Sequence, residues 1–167
     1  MKLTKSLRKR ICKQSFGLMI LVFGISNVVY SNTDNIYQAV VQAPFDTTYD
    51  KVYKALENQR FYVVYELNIG RSLARNKERW GKDYNRNKFE EVRTMIVCNP
   101  WYANQVLNKD PSLIALCPLT ISLLYKEGKV TIYFERLTVK TEDSPLSDVL
   151  WEIETTIISA IEGAISE

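Results

Sequence analysis

The chain of 167 residues is predicted to adopt an α+β fold, a largely antiparallel sheet with helices packed on one face. Three observations predict it. Several segments are rich in β-branched and aromatic residues and alternate in polarity, as half-buried strands do. Two of them, in "LTISLLYKEGKVTIYFERL", flank Glu127-Gly128, the clearest hairpin signal in the chain. The closing segment carries a continuous apolar stripe at helical spacing, which suits a helix covering one face of a sheet.

Taken in order, the elements read β-α-β-β-α-β-β-α. "NIYQAVVQAP" is a strand ending at Pro44. In "DTTYDKVYKALENQR", Thr47 and Asp50 have capping-box spacing, and Tyr49, Val52, Tyr53 and Leu56 recur at helical intervals. "FYVVYELNI" is the second strand, with Phe61, Val63, Tyr65 and Leu67 expected on one face. Residues 70 to 87 are polar and basic, and read as a short helix through Leu73 and Ala74 followed by a loop. "KFEEVRTMIVCNP" is the third strand; Pro100 holds Asn99 extended and ends it. "WYANQVLNKDPSLIALCP" is helical, with Asp110-Pro111 capping a second short turn. In the hairpin, Leu119, Ile121 and Leu123 share a face, as do Val130, Ile132 and Phe134. The last helix follows a Ser-Pro start, and its stripe runs through Leu146, Val149, Leu150, Ile153, Ile157, Ala160, Ile161 and Ala164.

Residues 1–31 read as a secretory signal peptide outside the fold. "MKLTKSLRKRICKQ" holds six Lys or Arg and no acid, and an apolar stretch of fifteen, "SFGLMILVFGISNVV", follows. Val29-Tyr30-Ser31 supplies small or β-branched residues at the −3 and −1 positions of a cleavage site. A spanning helix needs about 20 apolar residues. This run is shorter and is interrupted by Ser15, Gly17, Gly24, Ser26 and Asn27. The expected product is a single domain, residues 32–167, periplasmic or secreted, with no stable membrane anchor after cleavage.

Removing the leader reverses the charge balance. The chain has 22 basic and 19 acidic residues; without the six basic residues of the leader it has 16 against 19, net −3. The basic character therefore belongs to the targeting segment and gives no argument for a nucleic-acid partner.

Histidine is absent from the whole sequence. That excludes Ser-His-Asp and Cys-His nucleophile systems, histidine metal ligands and histidine pH sensing. No catalytic residue, metal site or cofactor is predicted. Glu90 and Glu91 point to opposite faces of a strand, so they form no carboxylate dyad.

Cys98 and Cys117 are the two cysteines beyond the leader. One ends a strand and the other opens one, so both fall at the same end of the sheet. They read either as a disulfide or as two buried thiols behaving as small hydrophobes. They have no Cys-x-x-Cys spacing that would mark a redox motif.

A second candidate is the basic segment from Arg71 to Arg93, with eight Lys or Arg against four acids. Arg71, Arg75, Trp80 and Tyr84, with Trp101 and Tyr102, could form a ligand or anion surface, in which cations meet anions and rings stack. The competing reading is a solvated loop. Tyr62, Tyr65, Tyr125 and Tyr133 lie on strands, where they suit either an aromatic-lined pocket or core and interface packing.

The helix start "FDTT", then "CNP", then "DPSLIAL", a Pro-led strand and a Gly turn resemble domain-of-unknown-function family 302. The likeness covers roughly residues 36 to 138 and the closing helix. It implies a small α+β domain that forms homodimers, with no established catalytic activity and no assigned cofactor. It also implies that Cys98 is the family's "CNP" cysteine. The family often has a second cysteine just after the proline, where this chain has Leu119; here Cys117 precedes Pro118 instead.

The functional expectation is an exported, non-catalytic binding or assembly module that is homodimeric. The alternatives are a thiol-dependent redox or stress protein using Cys98, and a carrier of small apolar ligands with a tyrosine-lined pocket. The leader reading predicts a mature protein that starts near Asn32. N-terminal sequencing of fractionated cells checks it, and recovery of Met1–Ser31 in the membrane fraction would show an anchor instead.

Overall fold

Strand-forming segments pair into one antiparallel sheet of six strands in the computed structural model, which describes residues 28–33, 35–138 and 144–166. Most of the expected leader, residues 1–27, lies outside the described residues. The strands are β1 (Val29–Thr33), β2 (Ile36–Gln42), β3 (Tyr62–Asn68), β4 (Glu91–Cys98), β5 (Leu119–Lys126) and β6 (Lys129–Glu135). Their order across the sheet is β1-β2-β6-β5-β4-β3. The helices are α1 (Phe45–Asn58), α2 (Ile69–Ala74), α3 (Lys77–Trp80), α4 (Pro100–Lys109) and α5 (Ser147–Ser166). Short 3₁₀ turns occupy Gly81–Asp83 and Pro111–Leu116. The α+β class and the expected order of the major elements are observed. No helix among the described residues is long and apolar enough to cross a membrane.

The inner face of the sheet carries the core. Tyr37, Ala39 and Val41 of β2, Met95 and Val97 of β4, Ile121 and Leu123 of β5, and Val130, Ile132 and Phe134 of β6 are all buried. Against them lie Phe45, Tyr49, Val52 and Leu56 of α1 and the stripe of α5 from Val149 to Ile165. Glu127 and Gly128 both have positive φ, at 51° and 78°, as a tight two-residue hairpin turn requires.

Four local expectations need correcting. β1 is an additional edge strand, paired with β2 from Val29↔Val40 to Thr33↔Ile36. Val29, Tyr30 and Ser31 thus pair in the sheet although they read as the end of a leader. Cleavage before Asn32 would leave only Asn32↔Tyr37 and Thr33↔Ile36 of that pairing. Next, α1 starts at Phe45, ahead of the capping box at Thr47 and Asp50. Pro44 occupies the N-cap without a side-chain bond, and the Thr48 hydroxyl donates back to the Pro44 carbonyl (2.9 Å). Pro44 ends the strand and starts the helix in one step, which leaves no room for a separate cap. Third, residues 69–83 form two short helices and a 3₁₀ turn in place of one helix and a loop.

Fourth, β3 is irregular. Its register against β4 slips between Val63↔Val97 and Tyr65↔Ile96, so Val64 is a bulge. An extra residue in one strand reverses the alternation beyond it. Val63 faces the core, but Tyr65 and Leu67 turn outward, opposite Ile96 and Thr94. Glu66 turns inward, where it accepts a hydrogen bond from the Tyr49 hydroxyl (2.6 Å).

The connection from β6 to α5 is held by a buried carboxylate. Glu154 accepts the backbone N–H groups of Leu137 (2.9 Å) and Thr138 (3.0 Å) and the Thr138 hydroxyl (2.9 Å). Arg136 Nη1 lies 3.6 Å from its other oxygen. A charge taken out of water is tolerated only when its lone pairs are satisfied. Glu154→Ala removes the acceptor of three donors and the partner of the Arg136 charge, and is expected to lower stability by about 3 kcal/mol. Urea denaturation of the variant checks this, with Ser159→Ala on the exposed side of the same helix as the near-neutral reference.

Candidate functional site

Two cysteines meet at one end of the sheet because two local signals end elements there. β4 stops at Cys98, and the Asn99 side chain caps α4 by accepting from the N–H groups of Trp101 (3.0 Å) and Tyr102 (3.4 Å). Asp110 caps the following 3₁₀ turn through Ser112 (3.0 Å), and the turn delivers Cys117 to the start of β5 through a cis Cys117–Pro118 bond. The β4–β5 register sets Val97 opposite Leu119, so the two cysteines fall just beyond the last paired residues. Their Sγ atoms lie 3.9 Å apart, both are free thiols, and both are half-buried.

The thiols line a small apolar cavity with Phe61, Val97, Leu116, Leu119 and Leu150, of about 40 Å³. Its outer wall is α4, anchored by the buried Val106 and by Tyr102, whose ring stacks on Phe61 (centroids 5.8 Å). The Tyr102 hydroxyl donates to Glu152 (2.8 Å). Burial, then that hydrogen bond, push the Tyr102 hydroxyl upward. Burial, with the neighbouring Cys98 adding to it, pushes the Cys117 thiol up to about 11. Such a thiol is protonated at neutral pH and is a poor nucleophile.

The six residues proposed from sequence as a ligand or anion surface are not gathered together. Trp101 and Tyr102 belong to the cysteine end. Trp101 is 65% exposed at the start of α4, while Tyr102 packs inward. Arg71 and Tyr84 line an open groove of about 370 Å³ with Asn68, Phe89, Glu90 and Glu91. Arg75 and Trp80 lie outside its lining.

The cations of the basic segment are dispersed as well. Arg93 lies over the rings of Phe45 (5.0 Å) and Tyr49 (5.5 Å) and pairs with Asp46 and Glu91. Arg86 pairs with Asp83, and Lys77 lies 5.9 Å over the Tyr84 ring. A groove that holds two glutamates beside one arginine is weakly suited to an anion.

The strand tyrosines divide between the faces of the sheet. Tyr125 packs on Phe45 inside (centroids 6.0 Å). Tyr133 lies opposite Gln38 and Ser122 on the outer face. None of the four lines the apolar cavity beside the cysteines, and Tyr62 and Tyr65 are on the outer face of the edge strand β3. What they do form is an exposed apolar strip. Tyr62 (46%), Val64 (58%), Tyr65 (61%) and Leu67 (39%) stand side by side on a face that α1 and α5 do not cover. Sequence reading missed the strip because the Val64 bulge is invisible to a strict alternation; the acid Glu66 inside an apolar run was the available signal.

A family model described as "Domain of unknown function DUF302" matches residues 37–164. The chain belongs to this family. The DUF302 domain also resembles a solved structure described as the crystal structure of uncharacterized conserved protein DUF302 from Bacillus stearothermophilus. The TM-score is 0.66 at 19% identity, over 78% of this chain and 98% of that one. That likeness concerns the fold. No curated protein matches the chain.

The raised Cys117 thiol predicts a pH dependence. Less thiolate at a given pH means slower alkylation, so modification of Cys117 in the folded, reduced domain is expected to stay slow at pH 8 and to climb towards pH 11. Iodoacetamide labelling followed by peptide mass mapping checks it. Fast labelling of Cys117 near pH 7 would show an activated thiolate.

Proposed function

We propose that this DUF302 domain is an exported, non-catalytic assembly module that works as a homodimer through the outer face of its sheet at β3. The observation carrying the reading is the strip of Tyr62, Val64, Tyr65 and Leu67 on an uncovered face. Contiguous exposed aromatic and aliphatic side chains at a sheet edge are an association hazard unless a specific partner covers them. A stable interface buries about 800 Å² on each side. Beside the strip the outer face runs through Ile96 to Thr120, while Thr94, opposite Leu67, is itself buried and Ser122 and Tyr133 beyond it are only half-exposed. Thr94 and Ser122 bond to each other there (2.8 Å), so they bring no unpaired hydroxyls to an apolar contact.

Export is supported by the charged head and short apolar run at the start of the sequence. The non-catalytic reading is supported by the lack of histidine in the sequence and by the protonated state of Cys117 at neutral pH. The carrier alternative has little apolar room. The apolar cavity of about 40 Å³ falls short of the roughly 300 Å³ or more of ordinary ligand pockets, and the groove of about 370 Å³ is open and lined by Asn68, Arg71, Asn85, Glu90 and Glu91.

Multi-angle light scattering on purified protein tests the reading. The wild type is expected to be a dimer at micromolar concentration, and Tyr65→Glu, at an exposed position, a folded monomer with unchanged circular dichroism. A monomeric wild type at high micromolar concentration would end the proposal.

A further inference from the structure

We propose that Cys98 and Cys117 are a modification site: they close an intramolecular disulfide that clamps α4 and the Pro111–Leu116 turn onto the end of the sheet. The inference is independent of the dimer reading. It starts from placement. The β4–β5 register brings the two cysteines side by side, and their sulfurs touch at 3.9 Å. Closing that gap to a bond requires an approach of about 2 Å, within reach of side-chain rotation at two adjacent strand ends. The chain between them, α4 and the 3₁₀ turn, is otherwise tied to the domain by Tyr102 on Phe61 and Glu152 and by the buried Val106. Both cysteines also form part of the wall of the apolar cavity beneath that segment.

The chemistry is thiol–disulfide exchange with an external disulfide as oxidant, of the kind supplied by oxidised glutathione. One cysteine loses its proton, and its sulfur attacks the external disulfide, forming a mixed disulfide and expelling one thiolate. The second cysteine loses its proton, attacks the protein sulfur of the mixed disulfide and expels the second thiolate. Two protein thiols are oxidised, one external disulfide is reduced, and the two protons pass to the two thiols released.

The bond closes slowly, because a thiol held up to about 11 supplies little thiolate at neutral pH. Slow closure fits a structural clamp and is ill suited to rapid catalytic exchange. Once closed, it removes freedom from the unfolded chain over a loop of eighteen residues, 99 to 116. Such a loop shifts the unfolding equilibrium roughly 100-fold.

The test uses the reduced protein incubated with oxidised glutathione at pH 8.5, with the same sample treated with dithiothreitol as reference, so no variant has to fold. Peptide mapping, which separates Cys12 from the pair, is expected to find Cys98 joined to Cys117 within one chain and two hydrogens lost. Hydrogen exchange across residues 99–116 is expected to slow, and the unfolding equilibrium to shift roughly 100-fold towards the native state. Reduction should reverse both. Cysteines that stay alkylatable, that stop at glutathione adducts, or that join two chains would overturn the site. A Cys98–Cys117 bond that leaves exchange in 99–116 unchanged would overturn the clamp.

Discussion

The apolar stripe of α5, from Val149 to Ile165, has one surface to cover: the inner face of the sheet beside α1. Nine residues of this twenty-residue helix are buried, so it has no stability of its own to spare and forms with the sheet or not at all. Side chains from four strands need that cover in turn, and α1 alone is too short to give it. The two layers are therefore obligate partners. Glu154 sits at the join, its carboxylate taking up the backbone donors of the chain that leaves β6. A buried acid in that place ties the helix to the chain leaving β6, because its charge and those donors satisfy one another only while the two stay together.

Covering one face with the long helices leaves much of the other open, although Thr94 on it is buried. A six-stranded sheet with both long helices on one side must present its outer face to water or to another molecule. The Val64 bulge sharpens the choice. By inserting one residue it sends Tyr65 and Leu67 outward and Glu66 inward, which trades apolar burial for the Tyr49–Glu66 hydrogen bond. Bulges commonly re-aim side chains at sheet edges, and this one concentrates apolar area on the edge strand. Beside it, Arg93 is drawn over Phe45 and Tyr49 and is held by Asp46 and Glu91. A cation that counts towards a basic segment in the sequence is thus consumed in packing.

At the other end of β4, the same economy of short signals builds the cysteine corner. Asn99 and Asp110 each accept backbone N–H groups of the helical turns that follow them, and each stands before a proline. Between them α4 folds back, so that the strand ending at Cys98 and the strand opening after Cys117 become neighbours. The cavity there is lined by aliphatic side chains and the Tyr102 ring, and at about 40 Å³ it is far smaller than an ordinary ligand pocket. Packing accounts for most of the aromatic residues at this corner, Trp101 excepted, which stays in solvent.

By itself the sequence determined the α+β class, the order of the principal elements, the Glu127-Gly128 hairpin, the Asn99 and Asp110 stops, and the core stripe of α5. Each is a local signal, carried by residues two to four apart, and local periodicity and capping are legible without knowing what lies opposite. The tertiary structure alone decided the β1 edge, the Val64 bulge, the burial of Glu154, the dispersal of the basic segment and the contact between Cys98 and Cys117. Those depend on partners far along the chain: Val40 for Val29, Ile96 for Tyr65, Leu137 for Glu154, Phe45 for Arg93. A strand's alternation says that it has two faces, but which residue faces which partner is set by register, and register belongs to the sheet as a whole.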